Sequence, residues 1–154
     1  MSEFTITPDP VESEDVIDLL RLHLEEMHAT SPADKVHAMP VERLREDDVT
    51  FFAVRKGEAL AAVGALKELG AQQGELKSMR ATPAFRGKGA GRALLEHLIQ
   101  EARARGLCWL GLETGGTANF ADARRLYEGY GFRECNAFNG YISDEFSICM
   151  ERTL

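Results

Sequence analysis

Arg86, Gly87, Lys88, Gly89, Ala90 and Gly91 form the segment of this chain whose residue types and spacing most plainly do chemistry. They lie between residues 75–81, which read as a strand, and residues 93–105, which read as an amphipathic helix. A glycine-rich strand-to-helix turn is an anion cradle. The first N–H groups of a helix lack intrahelical partners, and they sit at the positive end of a macrodipole worth roughly half an elementary charge. Glycine removes the Cβ atoms that would hold a ligand off the backbone, while Arg86, Lys88 and Arg92 add cations around it. The expected ligand is phosphorylated. Glu113 ends the next predicted strand, on the side where open α/β sheets receive ligands, and is a second candidate for chemistry.

These residues need a frame, and the hydrophobic pattern supplies one. Val16, Leu19, Leu20, His23, Leu24 and Met27 recur at helical spacing behind a possible cap at Ser13. Residues 29–39 read as a loop, and Pro40 suits the first position of a short helix to Arg45. Residues 49–54 and 59–69 then read as antiparallel strands around Lys56, Gly57 and Glu58, with Gln72, Gln73 and Gly74 making the next turn. The third strand, residues 75–81, delivers the chain to the glycine-rich loop, and Pro83 bars its continuation. Leu94, Leu95, Leu98, Ile99 and Ala102 stripe the following helix. Residues 107–112 read as a buried strand parallel to its predecessor. Phe120, Ala123, Tyr127 and Tyr130 stripe a last helix closed by Gly131, and residues 132–134 and 146–151 read as closing strands, the latter alternating through Phe146, Ile148 and Met150. The expected fold class is α/β with a mixed sheet, in one domain over residues 1–154.

Composition narrows the function. A net charge of −7 with 44% hydrophobic and 28% charged residues speaks for a globular protein and against a nucleic-acid binder, so the basic phosphate site must be local. No run approaches the roughly 20 apolar residues of a membrane span, and the polar start lacks the shape of a signal peptide, so a cytoplasmic location is expected. Cys108, Cys135 and Cys149 form no C-x-x-C pair; no disulfide frame or metal site is expected, and all three read as small core residues.

The spacing of the loop discriminates among phosphate binders. No window supplies the Walker pattern G-x-x-x-x-G-K-[ST]. The dinucleotide pattern G-x-G-x-x-G fails as well, because its sixth position is Arg92 counting from Gly87 and Leu94 counting from Gly89. What fits is R/Q-x-x-G-x-G/A, here Arg86, Gly89 and Gly91, followed by Leu126, Tyr127, Glu128, Gly131 and Phe132 in an L-Y-E-x-x-G-F segment, with Ala123 four residues before the tyrosine. Together the two motifs resemble the GNAT superfamily of acetyl-coenzyme-A-dependent N-acetyltransferases. The segment from His23 to Ala38 is similar to a small bacterial GNAT subgroup sometimes labelled indole-acetic-acid acetyltransferases.

The resemblance implies a GNAT fold, in which antiparallel N-terminal strands join a parallel βαβ coenzyme-binding unit, and acetyl transfer from acetyl-coenzyme A to the primary amine of a small-molecule or amino-acid-like acceptor by direct attack in a ternary complex. It implies that the backbone of Met79, Arg80 and Ala81 pairs with the pantetheine arm, that Arg86 through Arg92 hold the pyrophosphate, and that Tyr127 protonates the departing thiolate. Many members carry Asn where this chain has Phe120, so Asn119, one place off, is the candidate for that coenzyme contact. Glu75 matches a position where some members hold a catalytic carboxylate; Glu113 and water are the alternatives. His28, Ser31 and His37 fall on the N-terminal loop that walls the acceptor pocket in the superfamily. Lys77 and Arg80 would favour an acceptor bearing a carboxylate, although strand alternation puts them on opposite faces. The implied partners are an amine acceptor and a second copy of the chain, with no nucleic acid, membrane or metal. The other reading is a catalytically silent acyl-coenzyme-A sensor that keeps the cradle.

Overall fold

The computed structural model describes residues 3–30 and 41–154. The elements run β1 (Thr5–Pro8), α1 (Glu14–Thr30), a 3-10 turn (Val41–Arg45), β2 (Val49–Lys56), β3 (Ala59–Gly70), β4 (Gln73–Ala81), a 3-10 turn (Pro83–Phe85), α2 (Ala90–Ala104), β5 (Trp109–Thr114), a 3-10 turn (Ala118–Phe120), α3 (Ala121–Gly129), β6 (Arg133–Cys135) and β7 (Ile148–Thr153). They build one seven-stranded sheet in the order β1-β2-β3-β4-β5-β7-β6, in which only β4 and β5 pair in parallel. This is the expected mixed α/β class, with α2 as the crossover between the parallel strands.

Period-2 patterning splits the core between the two faces of the sheet. Phe52, Val54, Ala62, Leu66, Leu76, Leu110 and Leu112 face α2 and α3, where Leu94, Leu95, Leu98, Ile99 and Tyr127 close over them. Phe51, Ala53, Val63 and Ala65 face the other way, onto Val16, Leu19 and Leu20 of α1 and Leu44. A buried leucine of this kind contributes about 2 kcal/mol, so each face stabilises the sheet by an amount comparable to the net stability of a domain.

Several expectations need correction. Thr5–Pro8 is an edge strand on β2 that is too short and polar to announce itself. The β3–β4 turn falls on Ala71 and Gln72, both at positive φ, so Glu75 lies inside β4 and not at its start. Helix α2 begins at Ala90, because Gly89 adopts the left-handed conformation (φ 90°) as its cap, and this places Gly91 within the first turn. Strand β5 runs to Thr114, so Glu113 is internal to it. Strand β7 starts at Ile148 and not at Phe146; Ile148 and Met150 keep the expected alternation on the α2 face, while Ser147 and Cys149 are buried on the other. Of the cysteines only Cys149 is buried; Cys108 is exposed and Cys135 intermediate.

A bulge in β4 bears directly on the site. Val63 pairs with Arg80 and Ala65 with Lys77, so β4 carries one residue more than β3 across this interval. Ser78 absorbs it at φ 55°, a left-handed conformation that costs a non-glycine residue on the order of 1 kcal/mol. Opposite the bulge, Gly64 leaves the room that Met79 fills; a Cβ there would come within 2.4 Å of the Met79 sulfur. The extra residue cancels the alternation. Lys77 and Arg80 both stand on the α1 face, opposite Ala65 and Val63, and not on opposite faces as their spacing suggests.

Candidate active site

The parallel pairing of β4 with β5 covers only Gln73 to Leu76 against Trp109 to Leu112. Beyond Leu76 the strands part, and residues 77–81 of β4 and 113–114 of β5 run on without pairing to each other. The parting opens a cleft through the sheet, about 630 Å³ including its mouth, that brings the two faces into one space. His23, Met27, Glu75, Lys77, Glu113 and Tyr141 line it from the α1 side, and Phe120, Ala123 and Tyr127 from the α3 side. Backbone N–H and C=O groups on the open edge of β4 lack strand partners there, so an extended ligand can pair with them.

The cradle lies at the end of that edge. Gly87 (φ 72°) and Gly89 (φ 90°) are exposed, and a Cβ at either would meet nothing within 4 Å, so the space they leave is open to a ligand. Ala93 N donates to Gly89 O at 3.0 Å, which leaves the amides of Ala90, Gly91 and Arg92 at the free end of the helix. Lys88 and Arg92 are exposed. Arg86 is half-exposed and reaches back 3.4 Å to Glu26 of α1, which also pairs with Arg80. These residues fit a pyrophosphate: open glycines, unsatisfied amides and three cations.

Glu75 is 1% exposed and saturated. Its Oε2 accepts from Tyr141 OH at 2.6 Å and from Lys77 Nζ at 3.2 Å, and its Oε1 accepts from Asn139 Nδ2 at 3.1 Å. Lys77 Nζ also donates to Tyr141 OH at 2.6 Å. Tyr141 and Asn139 reach Glu75 because Phe138 seats its ring over Gly111, where a Cβ would come within 2.7 Å of it, and packs edge-on against Trp109. Nothing in residues 136–147 is periodic, and their part in the site went unread in the sequence. The one available signal was chemical, since a carboxylate inside a sheet must find donors from elsewhere in the chain.

Glu113 is placed otherwise. Burial pushes its carboxyl up to about 7, against a hydrogen bond from Ser147 Oγ at 2.6 Å and the nearby Lys77 charge, which both pull it down. Ser147 occupies Oε2, and Oε1 has no hydrogen-bond partner among the described residues. Across the gap, Tyr127 is buried, and burial drives its phenol well above the ordinary tyrosine range. Its ring meets Phe132 edge-on at 5.9 Å, and its hydroxyl has no hydrogen-bond partner among the described residues. Tyr127 is packed in the core and also lines the cleft.

The remaining candidates scatter. His28 lies exposed in the last turn of α1, which runs to Thr30, and is absent from the cleft lining, whereas His23 and Met27 of the same helix are part of it. Ser31 and His37 fall outside the described residues. Asn119 is exposed and accepts from the Thr117 hydroxyl, while Phe120 fills the space beside Gly115, where a Cβ would come within 2.0 Å of its ring. Arg124 pins this turn by donating to Gly115 O at 2.6 Å and Thr117 O at 2.9 Å.

Residues 14–132 match the acetyltransferase (GNAT) family, and the chain belongs to that family. It is 41% identical over 146 residues to YsnE of Bacillus subtilis (strain 168), an uncharacterized N-acetyltransferase, with 95% of this chain and 97% of the relative covered. It is 36% identical over 124 residues to the IAA acetyltransferase of Azospirillum brasilense, with 80% of each covered. A Bacillus subtilis acetyltransferase solved in complex with CoA shares the fold, with a TM-score of 0.74 at 19% identity over 98% of this chain and 99% of that one. The chain is an enzyme of the N-acetyltransferase class. Among the described residues no helix is long and apolar enough to cross a membrane.

Proposed function

We propose that the protein transfers the acetyl group of acetyl-coenzyme A to a primary amine, with Glu113 as the general base and Tyr127 as the proton donor to sulfur. One observation carries this reading: where β4 and β5 part, a carboxylate with a free oxygen and a buried phenol face one cleft that leads along the open β4 edge to the phosphate cradle. The structure of a relative in complex with CoA supports the choice of donor.

The chemistry follows from the groups. An alkylammonium with a pKa of about 10.4 is deprotonated in roughly one part in 10³ at pH 7, a deficit of about 4.6 kcal/mol, so a base poised near 7 is well matched to the task. Glu113 receives the proton that nitrogen sheds as the N–C bond forms. Amides on the β4 edge are available to the carbonyl oxygen as it gains charge, an interaction typically worth on the order of 3 kcal/mol. As the C–S bond breaks, Tyr127 gives its proton to sulfur. Burial keeps that proton on the phenol at neutral pH, and the same dry cleft raises the basicity of the thiolate that takes it. An acceptor that arrives as an ammonium loses two protons, the first before attack and the second as the N–C bond forms, while sulfur gains one; the surplus proton passes to water, and exchange with water restores both residues. Glu75, with both oxygens engaged, serves as the anchor of the acceptor wall.

Thiol release from acetyl-coenzyme A over an amine panel tests the assignment. Glu113→Gln is expected to lose about 10²-fold in kcat/KM and Tyr127→Phe at least tenfold in kcat. A Glu113→Gln enzyme within about threefold of wild type would overturn the base.

A further inference from the structure

The polar groups on the α1 side of the cleft do not balance. Every carboxylate there except Glu113 is engaged: Glu75 with Lys77, Tyr141 and Asn139, and Glu26 with Arg80 and Arg86. The nitrogens are not. Arg80 Nε and His23 Nδ1 are both buried with no hydrogen-bond partner, in a structure where such orphans are few. Lys77 spends two of its three protons on Glu75 and Tyr141. His23 lines the cleft, and Lys77 lines it beside His23. Arg80 stands on the same face because of the Ser78 bulge, near enough for its charge, after burial, to help hold the His23 imidazole neutral, with its pKa lowered to about 4. A buried guanidinium nitrogen without an acceptor carries an uncompensated desolvation cost, which an incoming oxygen would recover.

We propose that the acceptor is a free amino acid whose carboxylate is received by His23 and Lys77, which line the cleft, with the charge of Arg80 behind them on the same face, while its amine faces Glu113. The proposal rests on the amine-acetyltransferase reading and names the class of acceptor. The two unsatisfied sets are complementary: the third Lys77 proton, the Arg80 Nε–H and, as the Nδ1–H tautomer, His23 for an anion, and one carboxylate oxygen on β5 for an ammonium. A simple alkylamine would leave the donors orphaned, and sites built to hydrogen-bond a group discriminate strongly against analogues lacking it. The bulge is the structural device behind this arrangement. A regular β4 would carry Arg80 to the α2 face, away from His23.

The test has a kinetic and a binding arm. The twenty α-amino acids are assayed by thiol release from acetyl-coenzyme A, and those that react are compared with their carboxamides and decarboxylated amines. In parallel, calorimetry in the presence of coenzyme A follows binding of the same compounds without turnover. The expected result is at least a tenfold preference for the carboxylate form in kcat/KM and in affinity. Arg80→Gln and, separately, His23→Phe should bring that ratio to within about threefold of unity. The ratio cancels any effect of either variant on the coenzyme. Carboxamides or amines that serve as well as the acids, a ratio unchanged in both variants, or the absence of both turnover and binding for all twenty would overturn the proposal. Carboxylate-selective binding without turnover would uphold the site and sink the transferase reading instead.

Discussion

Glu75 and Glu113 lie on neighbouring parallel strands, on the same side of the sheet, and the fold treats them in opposite ways. Glu75 pairs across to Gly111 within the register that β4 and β5 share, and three donors converge on it. Glu113 lies just past the last shared pair, Leu76 with Leu112, where the strands have parted, with a single hydroxyl donor and a carboxyl raised to about 7. The saturated carboxylate builds the wall, and the underserved one is left with capacity for chemistry. Inside one sheet, the parting of two strands leaves neighbouring carboxylates in different surroundings, one closed by three donors and one served by a single hydroxyl.

The contrast can be broken at graded cost. The largest expected effect lies in the cradle: Gly89→Asp puts an anion at the proposed pyrophosphate site and a side chain on a backbone at φ 90°, and calorimetry should show coenzyme A binding abolished. Glu75→Gln strips the countercharge from Lys77, itself 11% exposed, and chemical denaturation should show a loss of about 3–5 kcal/mol. Glu113→Gln should do the reverse at high pH. Its folded pKa, about 7, exceeds the ordinary value of 4.5, so the folded state holds the extra proton between these limits and the buried charge destabilises it above them. The variant should therefore gain on the order of 2 kcal/mol at pH 8 and nothing at pH 4, as read by denaturation at both. Gly111→Ala collides with Phe138 and Trp109 and should cost about 1–3 kcal/mol while raising KM for the acceptor, because Tyr141 and Asn139 shift with the ring. The smallest effect is at Ser147→Ala. Losing a hydrogen bond to the charged form raises the Glu113 pKa further, so activity at pH 7 falls a few-fold and recovers at pH 8.

What the sequence disclosed follows the range over which each feature is encoded. The cradle was legible because Gly87, Gly89 and the helix start are a local matter of φ and spacing. The strands and the stripes of α2 and α3 were legible because burial is periodic. The Ser78 bulge was not, since nothing at Ser78 marks a left-handed residue and its counterpart, Gly64, lies on another strand. Glu75 was read as the likelier base because a carboxylate at a matching position says nothing of its donors. Those come from Asn139 and Tyr141, more than sixty residues away. The proposed preference for Glu113 over Glu75 rests on the strand pairing and on the donors around each acid, neither of which the sequence displays.

The most direct test is the pH dependence of kcat/KM for wild type beside Glu75→Gln and Glu113→Gln, with one acceptor throughout. Wild type should rise with pH through an acidic limb near 7 as Glu113 loses its proton, Glu75→Gln should keep that limb, and Glu113→Gln should lack it. A limb that survives in Glu113→Gln and vanishes in Glu75→Gln would contradict the assignment and return the base to Glu75.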